Sequence, residues 1–199
     1  MPKIEYEKIT HTYKEDGLVR LSCTQILADN GITGLDGVSQ SLLEANGQFG
    51  KAVHAAVQFK CKGTLDLKTV DQPILEYLKC WDNFVEDFGY QSEEQEVFGI
   101  HPKYHFGYQV DQIGLLGKGK YIGTCMMDIK TGSPKPSDLI QLGGYSFVKM
   151  AKHHFLLYLN PEFKPRGYKV IFSKKVKREQ QIFLACLTIS NYKREKGLT

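Results

Sequence analysis

The hydrophobic period changes at Gly89, and this change limits the folds open to the chain more than any other feature. Before it, apolar residues recur at helical spacing; after it they follow the shorter repeat of strands. Glu94 to Ile100, Tyr104 to Leu115 and Tyr121 to Lys130 read as three successive strands, with Gly117-Lys118-Gly119-Lys120 turning the second into the third. Pro134 and Pro136 break the chain, and Ser137 or Asp138 can open a helix through about Lys152. His154 to Leu159 and Tyr168 to Phe172 read as two more strands, joined by a loop with Pro161 and Pro165. A last helix is expected from about Arg178 to Lys193, although Ile182-Phe183-Leu184 equally suits a strand.

Upstream of Gly89 the chain reads mainly as helix. A short hairpin or extended segment covers Ile4 to Leu21, with Glu15-Asp16-Gly17 as its turn. Ser22 can cap a helix through Ile26 and Leu27 that ends near Asn30-Gly31. Gly31, Gly34 and Gly37 mark a loop. A helix from about Ser39 to Lys60 carries Leu42, Leu43, Phe49, Val53 and Val57, with Gly47 and Gly50 interrupting it. Another, from about Pro73 to Phe88, presents Leu75, Leu78, Trp81, Phe84 and Val85 on one face. The order helices, three-strand meander, helix, strand, strand, helix predicts an α/β sheet with helices packed on it, without the regular alternation of a doubly wound fold. At 199 residues this is one domain, 1–199, with a mainly helical N-terminal part to residue 90 and a sheet-containing core from 91.

Composition narrows the setting. No apolar run approaches a membrane span and no signal-peptide core opens the chain, so a cytoplasmic protein is expected. Five scattered cysteines without a C-x-x-C pair argue against a zinc knuckle or local iron–sulfur motif and suit reduced thiols in the core. The net charge of +4 is modest, but Lys164, Arg166, Lys169, Lys174, Lys175, Lys177 and Arg178 gather in the C-terminal third, a distribution that would suit a polyanion.

The chemistry centres on Asp128-Ile129-Lys130 in the run CMMDIKTG. On a strand, residues two apart leave the same face, so a carboxylate able to hold a divalent cation sits beside an ammonium able to steady water or a phosphate oxygen. Asp111 lies on the preceding strand. Counted from the Gly117–Gly119 turn it is nearer than Asp128, so the two face each other diagonally unless a bulge closes the gap. Two carboxylates that close call for a hard cation, Mg²⁺ or Mn²⁺. His54 on the 39–60 helix is a competent ligand, and Glu96 can contact the site from the first strand. Gln141 and Tyr145, at i and i+4, share a helix face that can meet a phosphate or base. Gly143 and Gly144 between them cost roughly 1 kcal/mol each in helix propensity, which suggests close approach by a ligand or another backbone.

In order, GxxGxxxH at Gly47–His54, an acidic residue before the meander, GxxxD at Gly107–Asp111, DIKTG at Asp128–Gly132 and QxxxY at Gln141–Tyr145 resemble the RecB-like branch of the PD-(D/E)XK nuclease superfamily. The resemblance implies a restriction-endonuclease-like αβββαβ core, a mixed central sheet flanked by helices. It implies a metal held by His54, Asp111, Asp128 and the carbonyl of Ile129, with Lys130 as the catalytic lysine and Gln141 and Tyr145 at the DNA backbone. The interval before Asp111 is one residue longer than in the family pattern, and the cysteines that hold an iron–sulfur cluster in some members have no counterpart. A stand-alone, phage-type enzyme is therefore implied.

Two weaker signals fall away. Gly114 to Lys120 lacks the G-K-[ST] ending of a phosphate loop, and His153-His154 would point to opposite faces of a strand. The expectation is a Mg²⁺- or Mn²⁺-dependent DNA exonuclease leaving 5′-phosphates, in recombination, repair or replication. Asp111, Asp128, Lys130 and Glu96 would be catalytic, Gln141, Tyr145, Lys174 and Lys175 would contact single- or double-stranded DNA, and a homo-oligomer or a recombination partner protein would be its further association. The alternatives are a catalytically silent nucleic-acid-binding module and a structure-selective endonuclease.

Overall fold

A computed structural model describes residues 2–7, 10, 12–33 and 39–198. Gly34 and Gly37, expected in a loop, and the side chain of Leu42 lie outside the described residues. The chain opens with three short antiparallel strands, β1 (Ile4–Glu7), β2 (Thr12–Glu15) and β3 (Leu18–Arg20), in the order β1-β2-β3. The expected turn is at the β2–β3 connection, where Asp16 and Gly17 both adopt positive φ, 48° and 81°. A three-stranded sheet thus stands where a short hairpin or extended segment was expected.

Ser22 caps α1 (Cys23–Asp29) through a reciprocal bond pair with Gln25, and α2 spans Gln40–Cys61. Gly47 and Gly50 leave α2 continuous, because the helix is held by its packed face rather than by propensity. α3 (Gln72–Phe88) buries Leu78, Trp81 and Phe84 and ends on left-handed Gly89.

The main sheet then forms in the order β4-β5-β6-β7-β8, from β4 (Tyr90–Ile100), β5 (Gly107–Leu116), β6 (Gly123–Lys130), β7 (His153–Leu159) and β8 (Tyr168–Phe172). All neighbours are antiparallel except β6 and β7, which run parallel through the crossover helix α4 (Pro136–Tyr145). This is the mixed sheet and restriction-endonuclease-like arrangement expected from the sequence. One sequence expectation changes and one left open is decided. α4 ends at Tyr145 rather than near Lys152, since Ser146 caps it by donating to the Gly143 carbonyl and the chain must return to start β7 at His153, opposite Cys125. Residues 182–184 are helical, inside α5 (Val176–Glu195), where Phe183 and Leu187 face the core.

Helices cover both faces of the sheet. Val53, Val57, Trp81 and Phe84 of α2 and α3 pack on Cys125, Met127 and Ile129. On the other face Ile26 and Leu27 of α1, Tyr145 of α4 and Phe183 of α5 pack on Val110, Ile113 and Met126. α4 and α5 touch where glycine stands: a Cβ at Gly143 would lie 2.6 Å from the Glu179 backbone, and one at Gly144 would lie 2.8 Å from the Phe183 ring. The close approach suggested by Gly143 and Gly144 is therefore to α5, to its backbone at Gly143 and to the Phe183 ring at Gly144. All five cysteines are free thiols, and four are buried.

Candidate metal and nucleic-acid site

Register places the two aspartates. Leu116 pairs with Gly123, so the β5–β6 connection runs from 117 to 122 and includes a 3-10 turn at Gly119–Tyr121. The longer connection brings the two aspartates nearer to register than counting from Gly117–Gly119 gave: the ladder ends at Gln112–Met127, one residue short of both. There the carboxylate of Asp111 replaces a ladder acceptor, its Oδ2 taking the Ile129 N–H at 2.6 Å. The backbone of Ile129 thus meets the site through its N–H.

His54 reaches this point from α2, in the opposite helix layer, with Nδ1 3.3 Å from Asp111 Oδ1. Glu96 sits on β4 with left-handed φ of 51°, a conformation uncommon for a residue with a side chain and worth noting beside a candidate site. One ligand atom each from His54, Glu96 and Asp111 lies within 4.8 Å of the others. Lys130 Nζ stands 2.6 Å from Asp128 Oδ2, off the direction of a good hydrogen bond, and that buried oxygen has no hydrogen-bond partner. Lys130 also donates to Gln141 Oε1 at 2.9 Å, and Gln141 Nε2 donates to the Tyr145 hydroxyl at 2.7 Å.

Electrostatics follow from burial, with Asp111 and Asp128 only 6% and 3% exposed. Burial and then Asp111 push the Asp128 carboxyl up to about 7 despite Lys130. Asp111 is held below the usual carboxylate range, because the imidazolium of His54 outweighs its burial. Burial alone would lower His54, but the Asp111 charge and hydrogen bond carry it up to about 9. Lys130 is raised, its burial overcome by both aspartates. Two buried acids, one of them ion-paired with Lys130, plus an imidazole and a third carboxylate are a hard, oxygen-rich donor set that fits a divalent cation.

His54, Glu96, Asp111, Asp128, Ile129, Lys130, Gln141 and Tyr145 all line one cleft of about 1390 Å³. Gln141 and Tyr145 are buried, Gln141 bonded to Lys130 and Tyr145 to Gln141. Lys174 and Lys175 are exposed and stand apart. They follow β8, which runs antiparallel to β7, while Asp128 and Lys130 close the C-terminal end of β6, parallel to β7. The two lysines therefore lie at the sheet's other end, nearer the 117–122 connection. Sequence reading missed Gln109, which donates to Glu96, and Tyr13 and Lys51, which line the cleft. Gln109 had a signal, being two residues before Asp111 on the same strand face; Tyr13 and Lys51 had none.

No family model matches the chain, and no curated protein matches it. Among solved structures it is similar to an alkaline exonuclease, LHK-Exo, from Laribacter hongkongensis, at 15% identity over 90% of this chain and 93% of that one, with a TM-score of 0.41. LHK-Exo in complex with dAMP gives 16% identity, 89% and 93% coverage and a TM-score of 0.39. The protein SSO0001 gives 17% identity, 67% and 72% coverage and a TM-score of 0.31.

Proposed function

We propose that this chain is a Mg²⁺- or Mn²⁺-dependent DNA nuclease of the RecB-like PD-(D/E)XK kind, acting as an exonuclease that leaves 5′-phosphates in recombination, repair or replication. The observation that carries the reading is the meeting of Asp111, Asp128 and Lys130 with His54 and Glu96 in one cleft. The cleft exceeds the roughly 300–1,000 Å³ of a small-molecule pocket, as an extended polymer needs.

His54, Asp111, Asp128 and the carbonyl of Ile129 would hold the cation, with Glu96 beside them. When bound, the cation polarises the scissile phosphate and lowers the pKa of water. Lys130, fixed between Asp128 and Gln141, orients the attacking oxygen and offsets charge gathering on phosphorus. The new oxygen–phosphorus bond forms in line as the bond to the 3′ oxygen breaks, and that oxygen takes up a proton. Gln141 steadies Lys130 and, with Tyr145, borders the path of the DNA backbone. Lys174 and Lys175 would touch DNA only away from the scissile bond.

Asp128→Ala or Lys130→Ala should lower nucleolysis by about 10²–10³-fold or more while the protein stays folded. End-labelled linear DNA with Mn²⁺ reads this, together with polarity and strand choice. Wild-type rates in either purified variant would refute the assignment. A covalently closed circle that is cut would replace exonuclease by endonuclease. Binding in EDTA with no metal-dependent product would leave a silent nucleic-acid-binding module.

A further inference from the structure

The small N-terminal sheet docks on the β5 face that carries Asp111. Gly107, Gln109 and Asp111 are two residues apart and so share that face. Gly107 receives the Tyr13 ring: a Cβ there would lie 2.3 Å from the ring carbons, and the Tyr13 hydroxyl donates to the Tyr108 carbonyl at 3.1 Å. Tyr6, the cross-strand partner of Tyr13, stacks on it at 4.7 Å and on Phe98 at 4.6 Å. The Tyr6 hydroxyl donates to Gln109 Oε1 at 2.8 Å. Gln109 is then fixed with its amide nitrogen toward Glu96, to whose Oε2 it donates. Glu96 is the residue held at positive φ within the acidic cluster.

We propose that Gln109, oriented by Tyr6, is a positioning residue that aims the Glu96 carboxylate at the cation shared with His54 and Asp111, so that the N-terminal sheet is part of the metal site's support. The inference rests on the metal site proposed above. Glu96 sits at positive φ on β4, and the Gln109 amide on the neighbouring strand, itself held by Tyr6, bonds its carboxylate. The pair acts from Tyr6, outside the αβββαβ core, whose hydroxyl selects which end of the non-titrating Gln109 amide on β5 faces Glu96. Partners of this kind tune metal affinity by fixing the ligand's direction.

The test uses the full-length protein and Mn²⁺ alone, titrated by calorimetry or by the electron paramagnetic resonance signal of free Mn²⁺. Gln109→Met, similar in size but without donor or acceptor, should weaken Mn²⁺ binding by about tenfold, and Tyr6→Phe, which keeps both stacking contacts, by a few-fold in the same direction. The melting temperature without metal should stay at the wild-type value in Tyr6→Phe, and saturating Mn²⁺ should restore kcat in both variants. A purely structural role would instead lower the melting temperature and leave Mn²⁺ affinity intact. Asp111→Asn separates the two levels. If it loses Mn²⁺ while Gln109→Met and Tyr6→Phe bind as wild type, the positioning role is overturned and the metal site stands. If Asp111→Asn binds Mn²⁺ like wild type, the metal site falls and this inference with it.

Discussion

Asp128 and His54 set how the protein responds to pH. Both have folded-state values above their ordinary ones, about 7 for Asp128 through burial and Asp111, and about 9 for His54, where the Asp111 charge overcomes burial. A group raised on folding stabilises the fold below its unfolded value and stops doing so as pH rises through the folded one. Metal-free protein should therefore lose stability from about pH 4 to 7 through Asp128 and from about pH 6.5 to 9 through His54. Asp111 is shifted down and acts only in more acidic solution, where stability falls as it protonates. Urea midpoints across this range should decline with pH, and Asp128→Asn, which imitates the protonated acid, should flatten the lower limb. An unchanged slope in that variant would remove Asp128 as the cause.

Two helices carry glycines whose surroundings give opposite expectations. Gly47 lies inside α2 with nothing within 4 Å of the place its Cβ would take. Gly47→Ala should stabilise by about 1 kcal/mol, because alanine loses less backbone freedom in a helix. In α4, Gly143 faces the α5 backbone at Glu179, with 2.6 Å available. Gly143→Ala must push two helices apart and should cost about 1–3 kcal/mol. Denaturant unfolding of both variants tests the pair, and a stabilised Gly143→Ala would contradict the packing described. The spacing of Gln141 and Tyr145 put them on one face of α4, as found, but their burial in a chain of bonds running from Lys130 through Gln141 could not be read from four residues of helix.

The two helix layers meet across the five-stranded sheet, and the candidate site draws on both. Asp128, Lys130 and Gln141 come from β6 and α4, and His54 comes from α2. A cation bound there ties the layers together and must stabilise the fold through mass action. Mn²⁺ at about one hundred times its dissociation constant should add about 2.7 kcal/mol, with a higher melting temperature. Asp111→Asn should show no such rise. A melting temperature insensitive to Mn²⁺ in the wild type would argue that the carboxylates hold no ion.

The sequence by itself determined the period change at Gly89, the strand that carries Asp128 and Lys130 on one face, and the five strands that follow α3. These depend on local backbone geometry, which neighbours in the chain set. Tertiary structure alone decided that Asp111 and Asp128 each lie one step past the last paired residues, Gln112 and Met127, through a connection six residues long from 117 to 122. It also decided that His54 meets Asp111 from another layer, and that Lys174 and Lys175 sit at the far end of the sheet. Register, layer contacts and strand direction come from how distant segments pack, and no spacing along the chain encodes them singly.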